Sequence, residues 1–312
     1  MQDVSNIYDV IIIGGGPAGL TAGLYTSRAR LKSLLIEKGF SGGQVMTIEW
    51  IENYPGFDEG ISGIELSQRI ERQAKKFGLE IIQGSVVEIL PREEMKKIVL
   101  EGGETYKAKA IILATGANPR SLKVEGEEKY RGRGVSYCAT CDGAFFKGKK
   151  IAVVGGGNSA VQEAIFLTKF AEIVYVVHRR DQLRATKILQ ERASANPKIQ
   201  FIWDSLVEKI DGKETVNSLS LKNVKTGEAS TLDVDGVFIY VGYNPNTEFL
   251  KGLLRLDEHN YILTDEELST SVPGIFAAGD VRAKPLKQIT TAVGDGATAA
   301  VSAEKYISQM KK

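Results

Sequence analysis

Residues 8–19 read YDVIIIGGGPAG, in which an apolar run leads directly into a glycine-rich turn. The run from Tyr8 to Ile13 is rich in β-branched residues and suits a parallel strand that is buried on both faces. A helix is expected to begin at Pro17, immediately after the turn. A strand, a glycine turn and a helix in this order predict one unit of a dinucleotide-binding α/β fold.

Each glycine of the G-x-G-x-x-G spacing has its own predicted role. Gly14 allows the tight turn, Gly16 lets the backbone approach a pyrophosphate, and Gly19 lets the helix pack closely on the strand. The next strand ends at Glu37, where a carboxylate can accept a hydrogen bond from a ribose 2′-hydroxyl. The alternative is a glycine turn without a ligand, but strand, helix and acid together favour dinucleotide binding.

The same order of elements recurs in the second half of the chain. An apolar run at Ile151–Val154 precedes the turn GGGNSA at residues 155–160, and an apolar helical stretch extends to Phe170. Each copy also has a later buried strand that ends in glycine, at residues 111–116 and 237–242. We therefore predict an α/β protein with two Rossmann-like, three-layer (ββα) dinucleotide-binding domains.

The two units divide the chain into a discontinuous domain and an inserted one. The stretch that follows the second unit is too short to be a third Rossmann unit, so it is expected to complete the first domain. The predicted domains are residues 1–119 with 248–312, and residues 120–247. Their linkers are expected near Asn118-Pro119 and Gly242–Thr247, where turn residues cluster.

The second unit differs from the first at the end of its second strand. Ile173–Val177 is followed by His178-Arg179-Arg180 instead of an acid, and Arg184 lies close by in sequence. Arginine forks suit a 2′-phosphate dianion, so the pattern favours NADP over NAD. The alternative is a solvated basic turn that is capped by Asp181.

The only cysteines, Cys138 and Cys141, have the C-x-x-C spacing of a redox dithiol. A structural disulfide scaffold would use more cysteines. Zinc would need about four ligands, and the only histidines, His178 and His259, lie in other motifs or loops, so no metal site is predicted. Asp142 is the candidate general acid and base, because no histidine lies near the pair. The alternatives are two buried, inert cysteines and a solvent-facing aspartate.

Composition excludes several classes of function. With 312 residues, 25% charged residues and a net charge of +1, the chain has no field that would attract nucleic acid or anionic lipid. No stretch reads as a signal peptide or membrane span, so a cytoplasmic location is expected.

Along essentially its whole length the chain resembles the low-molecular-weight, bacterial-type thioredoxin reductases. CATCDG at residues 138–143 resembles their active-site motif, and the arginines after the second unit's strand resemble their NADPH phosphate site. Their FAD-binding segments resemble GGQ at 42–44, ENYPG at 52–56 and AAGDV at 277–281. The resemblance implies FAD in the discontinuous domain and NADPH in the inserted one. In that family Gln44 and Asn53 would contact the flavin, and Asp280 would hold its ribityl chain.

The motifs and the resemblance together predict the site residues. Those for FAD are Gly14, Gly16, Pro17, Ala18, Gly19, Glu37, Gly43, Gln44, Asn53, Thr115, Gly116, Gly279, Asp280, Lys287, Gln288 and Ile289. Those for NADPH are Gly155, Gly157, Asn158, Ser159, Ala160, His178, Arg179, Arg180 and Arg184. Where the family usually has Arg-Gln, this chain has Lys287-Gln288, and the loss of the arginine fork could alter flavin potential or electron donor.

The resemblance also implies an activity, that of a thioredoxin-disulfide reductase. Hydride would pass from NADPH to FAD and electrons to the Cys138–Cys141 disulfide, with Cys141 facing the flavin and Cys138 attacking a separate thioredoxin or thioredoxin-like protein. A homodimer is expected. The alternatives are a dithiol oxidase or a ferredoxin-linked flavin disulfide reductase of the same fold, which should lack the NADP arginines, and a non-catalytic flavin redox sensor.

Overall fold

The computed structural model describes residues 7–48, 50–91 and 95–310. Its strands are β1 (Ile7–Ile13), β2 (Ser33–Glu37), β3 (Glu80–Gln83), β4 (Val86–Leu90), β5 (Lys96–Leu100), β6 (Thr105–Leu113), β7 (Ala117–Pro119), β8 (Val135–Ser136), β9 (Lys150–Gly155), β10 (Ile173–Val177), β11 (Ile199–Ile202), β12 (Ser205–Gly212), β13 (Val216–Asn223), β14 (Ala229–Asp233), β15 (Gly236–Tyr240), β16 (Tyr243–Pro245) and β17 (Ile275–Ala277). Its α-helices are α1 (Pro17–Arg28), α2 (Gly63–Lys76), α3 (Ala139–Asp142), α4 (Asn158–Leu167), α5 (Lys187–Ser194) and α6 (Ile289–Met310). Within the described ranges, no helix combines the length and apolar character needed to cross a bilayer.

The chain forms two compact units. The first contains the residues up to Asn118 and those from Asn244 onward, and the second contains Pro119–Tyr243. The chain passes from the first unit to the second between Asn118 and Pro119, and it returns between Tyr243 and Asn244. The two connecting segments run side by side, because β7 pairs with β16.

The first unit is built on a seven-stranded sheet in the order β3-β2-β1-β6-β5-β4, with β17 paired to the end of β6. The β3, β2, β1, β6 and β17 strands are parallel, whereas β5 and β4 continue the sheet antiparallel. The run predicted as a doubly buried strand is β1, at the centre, and its Ile11 and Ile12 are fully buried. Burial on both faces explains why that run lacks polar alternation.

Two separate cores cover the faces of this sheet. On one face Val10 belongs to a cluster with Leu20 of α1 and Ala299 of α6. On the other face Ile11 belongs to a cluster with Ile98 of the antiparallel strands. The first unit therefore has three layers, in which helices and an antiparallel extension enclose the parallel sheet.

The second unit repeats this plan with fewer strands. Its parallel sheet has the order β11-β10-β9-β15-β8, and β12, β13 and β14 form a separate antiparallel sheet. Val153 of β9 packs with Val161 of α4 on one face, while Ala152 packs with Leu219 of β13 on the other. The repeat confirms the predicted α/β architecture with two Rossmann-like units, although α4 ends at Leu167 and does not reach Phe170.

Small residues allow α1 and α6 to approach closely in the first unit. A Cβ atom on Gly296 of α6 would overlap the carbonyl oxygen of Ala18 of α1. Gly294, two residues earlier in the same helix, is exposed and has no atom within 4 Å of the position that its Cβ would take. The close approach of α1 and α6 thus depends on Gly296 and not on Gly294.

We predict that Gly296→Val lowers the free energy of unfolding by about 1 to 3 kcal/mol, because the added side chain must displace the backbone of α1. Urea denaturation followed by circular dichroism measures the effect. Gly294→Val is the matched control, with the same change of residue in the same helix and an expected small effect. Equal midpoints for the two variants would contradict the packing argument.

Candidate functional site

The first glycine turn is closed at its ends and open in its middle. Gly14 has φ +106°, and a Cβ there would overlap the carbonyl oxygen of Ala114. A Cβ on Gly19 would overlap the carbonyl oxygen of Gly14, so the helix rests directly on the turn. In contrast, no atom lies within 4 Å of the position that a Cβ on Gly16 would occupy. This opening at the start of α1 has the form that a pyrophosphate requires.

Glu37 lies beside this turn at the end of β2. One of its carboxylate oxygens accepts a hydrogen bond from the amide of Gly15, and the other accepts one from Gly39 at 2.8 Å. A Cβ on Gly43 would lie only 3.2 Å from Cα of Gly16. The structure therefore brings the predicted Glu37 and Gly43 to the first glycine turn.

Further predicted flavin contacts meet although they are distant in sequence. The side-chain amide of Asn53 donates to Oε1 of Gln288 at 3.1 Å. Asn53 also lines a cavity of about 520 Å³ formed by Glu52–Asp58. The Thr115 hydroxyl donates to the carbonyl of Asn246 at 2.9 Å, which holds the segment after β6 in place.

Asp280 has a buried carboxylate oxygen without a hydrogen-bond partner. That oxygen is Oδ1, and the nearest cation, Nζ of Lys284, is 3.8 Å away. Burial raises the pKa of Asp280, and Lys284 opposes this shift. Since 43% of the side chain remains exposed, a hydroxyl donor could reach the carboxylate. The carboxylate oxygen lacks a donor, and the ribityl chain of a flavin carries hydroxyl groups that can donate, so the two fit each other.

Lys287 supports the same turn from its backbone side. Its Nζ donates to the carbonyls of Asp280 at 3.2 Å and Arg282 at 3.0 Å, and lies 3.9 Å from the ring centre of Tyr261. Burial lowers the pKa of Lys287, and Asp280 opposes this shift. These bonds use the ammonium as a compact donor and do not require the planar fork of arginine.

The second glycine turn shows the same open middle. No atom lies within 4 Å of the position for a Cβ on Gly157, whereas Gly155 has φ +148° and would meet the carbonyl oxygen of Tyr240. A Cβ on Gly156 would overlap the ring of His178. The sequence did not predict that residue 156 must lack a side chain, because only the position of β10 beside β9 brings the histidine to the turn.

The arginine loop is tied to this turn by backbone bonds. The amides of Arg184 and Ala185 donate to the carbonyl of Gly156 at 2.7 and 3.1 Å. The amide of Thr186 donates to Oδ1 of Asn158, the first residue of α4, at 2.8 Å. The loop is thereby held against the N-terminus of α4.

Three of the four residues predicted to bind the 2′-phosphate line one cavity, whereas His178 does not. Arg179, Arg180 and Arg184 are exposed and line a cavity of about 450 Å³. His178 is only 5% exposed, and its Nε2 has no hydrogen-bond partner among the described residues. Burial, followed by the charge of Arg184, lowers the pKa of His178, so the ring is neutral at pH 7. The arginines therefore carry the positive charge of this site.

Cys138 and Cys141 form a disulfide, which confirms their predicted pairing. Cys138 is the N-cap of α3, and its Sγ accepts a hydrogen bond from the Cys141 amide at 3.2 Å. The Ser136 hydroxyl accepts from the amide of Cys138 at 3.0 Å. Cys141 is exposed, whereas Cys138 and the predicted acid Asp142 are half-buried.

Tyr240 is a further residue of the redox site that sequence reasoning missed. Its hydroxyl accepts a hydrogen bond of 2.9 Å from the amide of Ala139, the first residue of α3. Burial raises the pKa of Tyr240, with Glu163 adding to the shift, so the phenol stays neutral. The available signal was a single tyrosine in the otherwise apolar β15, where a buried hydroxyl requires a partner.

We predict that Tyr240→Phe destabilises the protein by about 1 to 3 kcal/mol, because the amide of Ala139 is buried and would lose its acceptor. Urea denaturation measures the loss of stability. Hydrogen exchange measures how far the Ala139 amide loses its protection. Tyr175→Phe on β10 is the control, since the Tyr175 hydroxyl forms no hydrogen bond within the described residues. Wild-type protection of the Ala139 amide in Tyr240→Phe would refute this role.

Comparisons with known proteins identify the relatives of this chain. The family described as "Pyridine nucleotide-disulphide oxidoreductase" matches residues 8–296. The thioredoxin reductase of Listeria innocua serovar 6a is 54% identical over 314 residues, covering 100% of this chain and 98% of that protein. The thioredoxin reductase of Bacillus subtilis strain 168 is 51% identical over 309 residues, covering 98% of this chain and 96% of that protein.

Solved structures show the same relationship. The structure of Lactococcus lactis thioredoxin reductase is 50% identical and superposes with a TM-score of 0.95, covering 97% of this chain and 99% of that one. The thioredoxin reductase of T. acidophilum is 35% identical with a TM-score of 0.92, covering 98% of this chain and 100% of that one. The chain therefore belongs to the pyridine nucleotide-disulphide oxidoreductase family, in the group of low-molecular-weight thioredoxin reductases.

Proposed function

We propose that this protein is an NADPH-dependent thioredoxin-disulfide reductase that binds FAD in its first unit and NADPH in its second. The observation that carries the proposal is the presence, in one compact unit, of the Cys138–Cys141 disulfide and a basic cavity beside a glycine turn. Relatives named thioredoxin reductase support thioredoxin or a thioredoxin-like protein as the partner. The family resemblance further supports a cytoplasmic homodimer.

The residues of the first unit fit FAD. The space beside Gly16 accommodates a pyrophosphate, and the unpaired Oδ1 of Asp280 can accept from a hydroxyl. When bound, the flavin supplies two-electron transfer between the nicotinamide nucleotide and a disulfide. The residues proposed to hold it are Gly14, Gly16, Pro17, Ala18, Gly19, Glu37, Gly43, Gln44, Asn53, Thr115, Gly116, Gly279, Asp280, Lys287, Gln288 and Ile289.

The residues of the second unit fit NADPH better than NADH. The two nucleotides differ only by the 2′-phosphate, which Arg179, Arg180 and Arg184 can bind through charge-assisted hydrogen bonds. Gly155, Gly157, Asn158, Ser159 and Ala160 are proposed to surround the pyrophosphate, with His178 packed beneath them. The same arginines argue against an oxidase or ferredoxin-linked enzyme of this fold, which would not need them.

The reduced cysteine pair is proposed to act by thiol–disulfide exchange. The Cys138 thiolate attacks one sulfur of the partner's disulfide, which breaks that bond, forms a mixed disulfide and leaves a thiolate on the partner. The Cys141 thiolate then attacks Sγ of Cys138, which restores the Cys138–Cys141 disulfide and releases the second partner thiolate. The partner gains the two electrons that the cysteine pair loses.

Proton transfer accompanies these steps. The two thiolates released on the partner need two protons, and we propose that Asp142 delivers them from solvent. In the disulfide form the Cys141 amide donates to Sγ of Cys138, and after reduction the same amide would be in place to donate to a thiolate on Cys138. This hydrogen bond supports Cys138 as the attacking sulfur.

The function is tested by following NADPH consumption with thioredoxin as the acceptor. We expect NADPH to bleach the flavin of the anaerobic protein, and steady NADPH oxidation to begin only when thioredoxin disulfide is added. A redox sensor without turnover would show bleaching and no steady oxidation. Equal rates with NADH and NADPH would contradict the proposed donor.

The two cysteines should differ in trapping experiments with a thioredoxin that has a single cysteine. Cys141→Ser leaves the attacking Cys138, which is expected to displace thionitrobenzoate from a thioredoxin whose single cysteine has been activated as its mixed disulfide with thionitrobenzoate. The product is a stable protein–protein mixed disulfide, which non-reducing electrophoresis detects. Cys138→Ser should form none, because the remaining thiol is not the one that meets the partner. Trapping through Cys141 alone would reverse the assignment.

The two glycine turns should bind different nucleotides. Gly16→Val is expected to yield folded protein without flavin, because the side chain enters space that no protein atom occupies. Gly157→Val should keep the flavin and lose NADPH binding for the same reason. Flavin absorbance per protein and NADPH titration measure the two effects, and each variant serves as the control for the other. Retention of flavin in Gly16→Val would contradict the assignment of the first turn.

A further inference from the structure

Three segments of the second unit meet at the cavity that the arginines line. They are residues 179–184 after β10, Asp204 between β11 and β12, and the turn at Val224-Lys225 between β13 and β14. Backbone hydrogen bonds join them, since the amide of Asp204 donates to the carbonyl of Arg180 at 3.3 Å and that of Val224 to Asp204 at 2.6 Å. The arginine motif accounts for only the first segment.

Lys225 is held at the wall of this cavity by two carboxylates. Its Nζ lies 2.9 Å from Oδ2 of Asp181 and 3.0 Å from Oδ2 of Asp204. The hydrogen bond with Lys225 lowers the pKa of Asp181, so both partners are charged at neutral pH. The Lys225 side chain is nevertheless 57% exposed, and it lines the cavity, so a ligand there can reach it.

The two ion pairs also affect the net charge of the cavity that the arginines line. Asp181 and Asp204 are both engaged by Lys225, and none of the three arginines has an ion-pair partner within the described part of the chain. The cavity is lined by four cations and two carboxylates, a surplus of two positive charges. Without Lys225 the surplus would be one. A phosphate monoester carries about two negative charges near neutral pH, so only the complete cavity matches it.

We propose that Lys225 is a specificity-determining residue for the 2′-phosphate of the nicotinamide nucleotide. It adds a fourth cation and pairs with the two carboxylates, which reduces their repulsion of the phosphate. The inference rests on the proposed function, in which the second unit binds NADPH. It assigns phosphate recognition to the β13–β14 turn as well as to the arginine loop.

A purely structural ion pair would behave differently. In that case Lys225 would only fasten the β13–β14 turn to its neighbours, and its removal would affect nucleotides with and without a 2′-phosphate alike. The Lys225 and Asp181 side chains are exposed, and exposed ion pairs contribute little to stability, so a Lys225 variant is expected to fold. The two roles can therefore be separated by binding measurements.

The experiment compares 2′,5′-ADP with 5′-AMP by isothermal titration calorimetry on the flavin-loaded protein. We expect Lys225→Met to weaken binding of 2′,5′-ADP about tenfold, the effect of losing one charge-assisted contact, and to leave 5′-AMP unchanged. Lys225→Arg should restore most of the loss. Lys222→Met is the matched control, because Lys222 lies on the same hairpin, pairs with Glu208 and does not line the cavity.

Arg179→Ala separates failure of this inference from failure of the proposed function. If Arg179→Ala weakens 2′,5′-ADP and Lys225→Met does not, the role of Lys225 is overturned and the NADPH site stands. Equal weakening of both ligands by Lys225→Met also overturns it, in favour of the structural role. If the wild type binds 2′,5′-ADP no better than 5′-AMP, both the inference and the proposed NADPH site are wrong.

Discussion

The close approach of backbone to backbone at each glycine turn is the constraint on which both nucleotide sites depend. In the first unit the carbonyl oxygens of Ala114 and Gly14 occupy the space that side chains on Gly14 and Gly19 would need. In the second unit the carbonyl oxygen of Tyr240 occupies the space that a side chain on Gly155 would need. Because helix and strand meet without intervening side chains, the helix N-terminus is left open toward the middle of the turn, where an anion can approach the amides.

The two units use this shared geometry with opposite electrostatics. The first places carboxylates at its site, Glu37 at the end of β2 and Asp280 with a buried oxygen that lacks a donor. Carboxylates accept hydrogen bonds from hydroxyl groups and repel phosphates. The second places Arg179 and Arg180 at the corresponding strand end, where a carboxylate would repel a 2′-phosphate. The two units thus differ in charge at the end of the second strand, and this difference supports the proposal that they bind different nucleotides.

The redox pair is positioned by neutral hydrogen bonds. Ser136 and Tyr240 bind the backbone at the start of α3, and the amide of Cys141 faces Sγ of Cys138. A hydrogen bond from an amide stabilises a thiolate without adding a formal charge near the sulfur. The groups that hold the pair are all neutral, so they position the sulfurs without placing a formal charge beside them.

The sequence by itself determined the two glycine turns, their strands and helices, the arginine loop and the cysteine pair, because each is a local pattern of spacing and burial. The tertiary structure alone decided which distant residues meet: Asn53 with Gln288, Tyr240 with the amide of Ala139, and Lys225 with the arginine cavity. These contacts depend on strand order and on the paths of connecting turns, which hydrophobic periodicity does not encode. A single tyrosine or lysine also carries no spacing signal, so its role becomes visible only when its neighbours are in place.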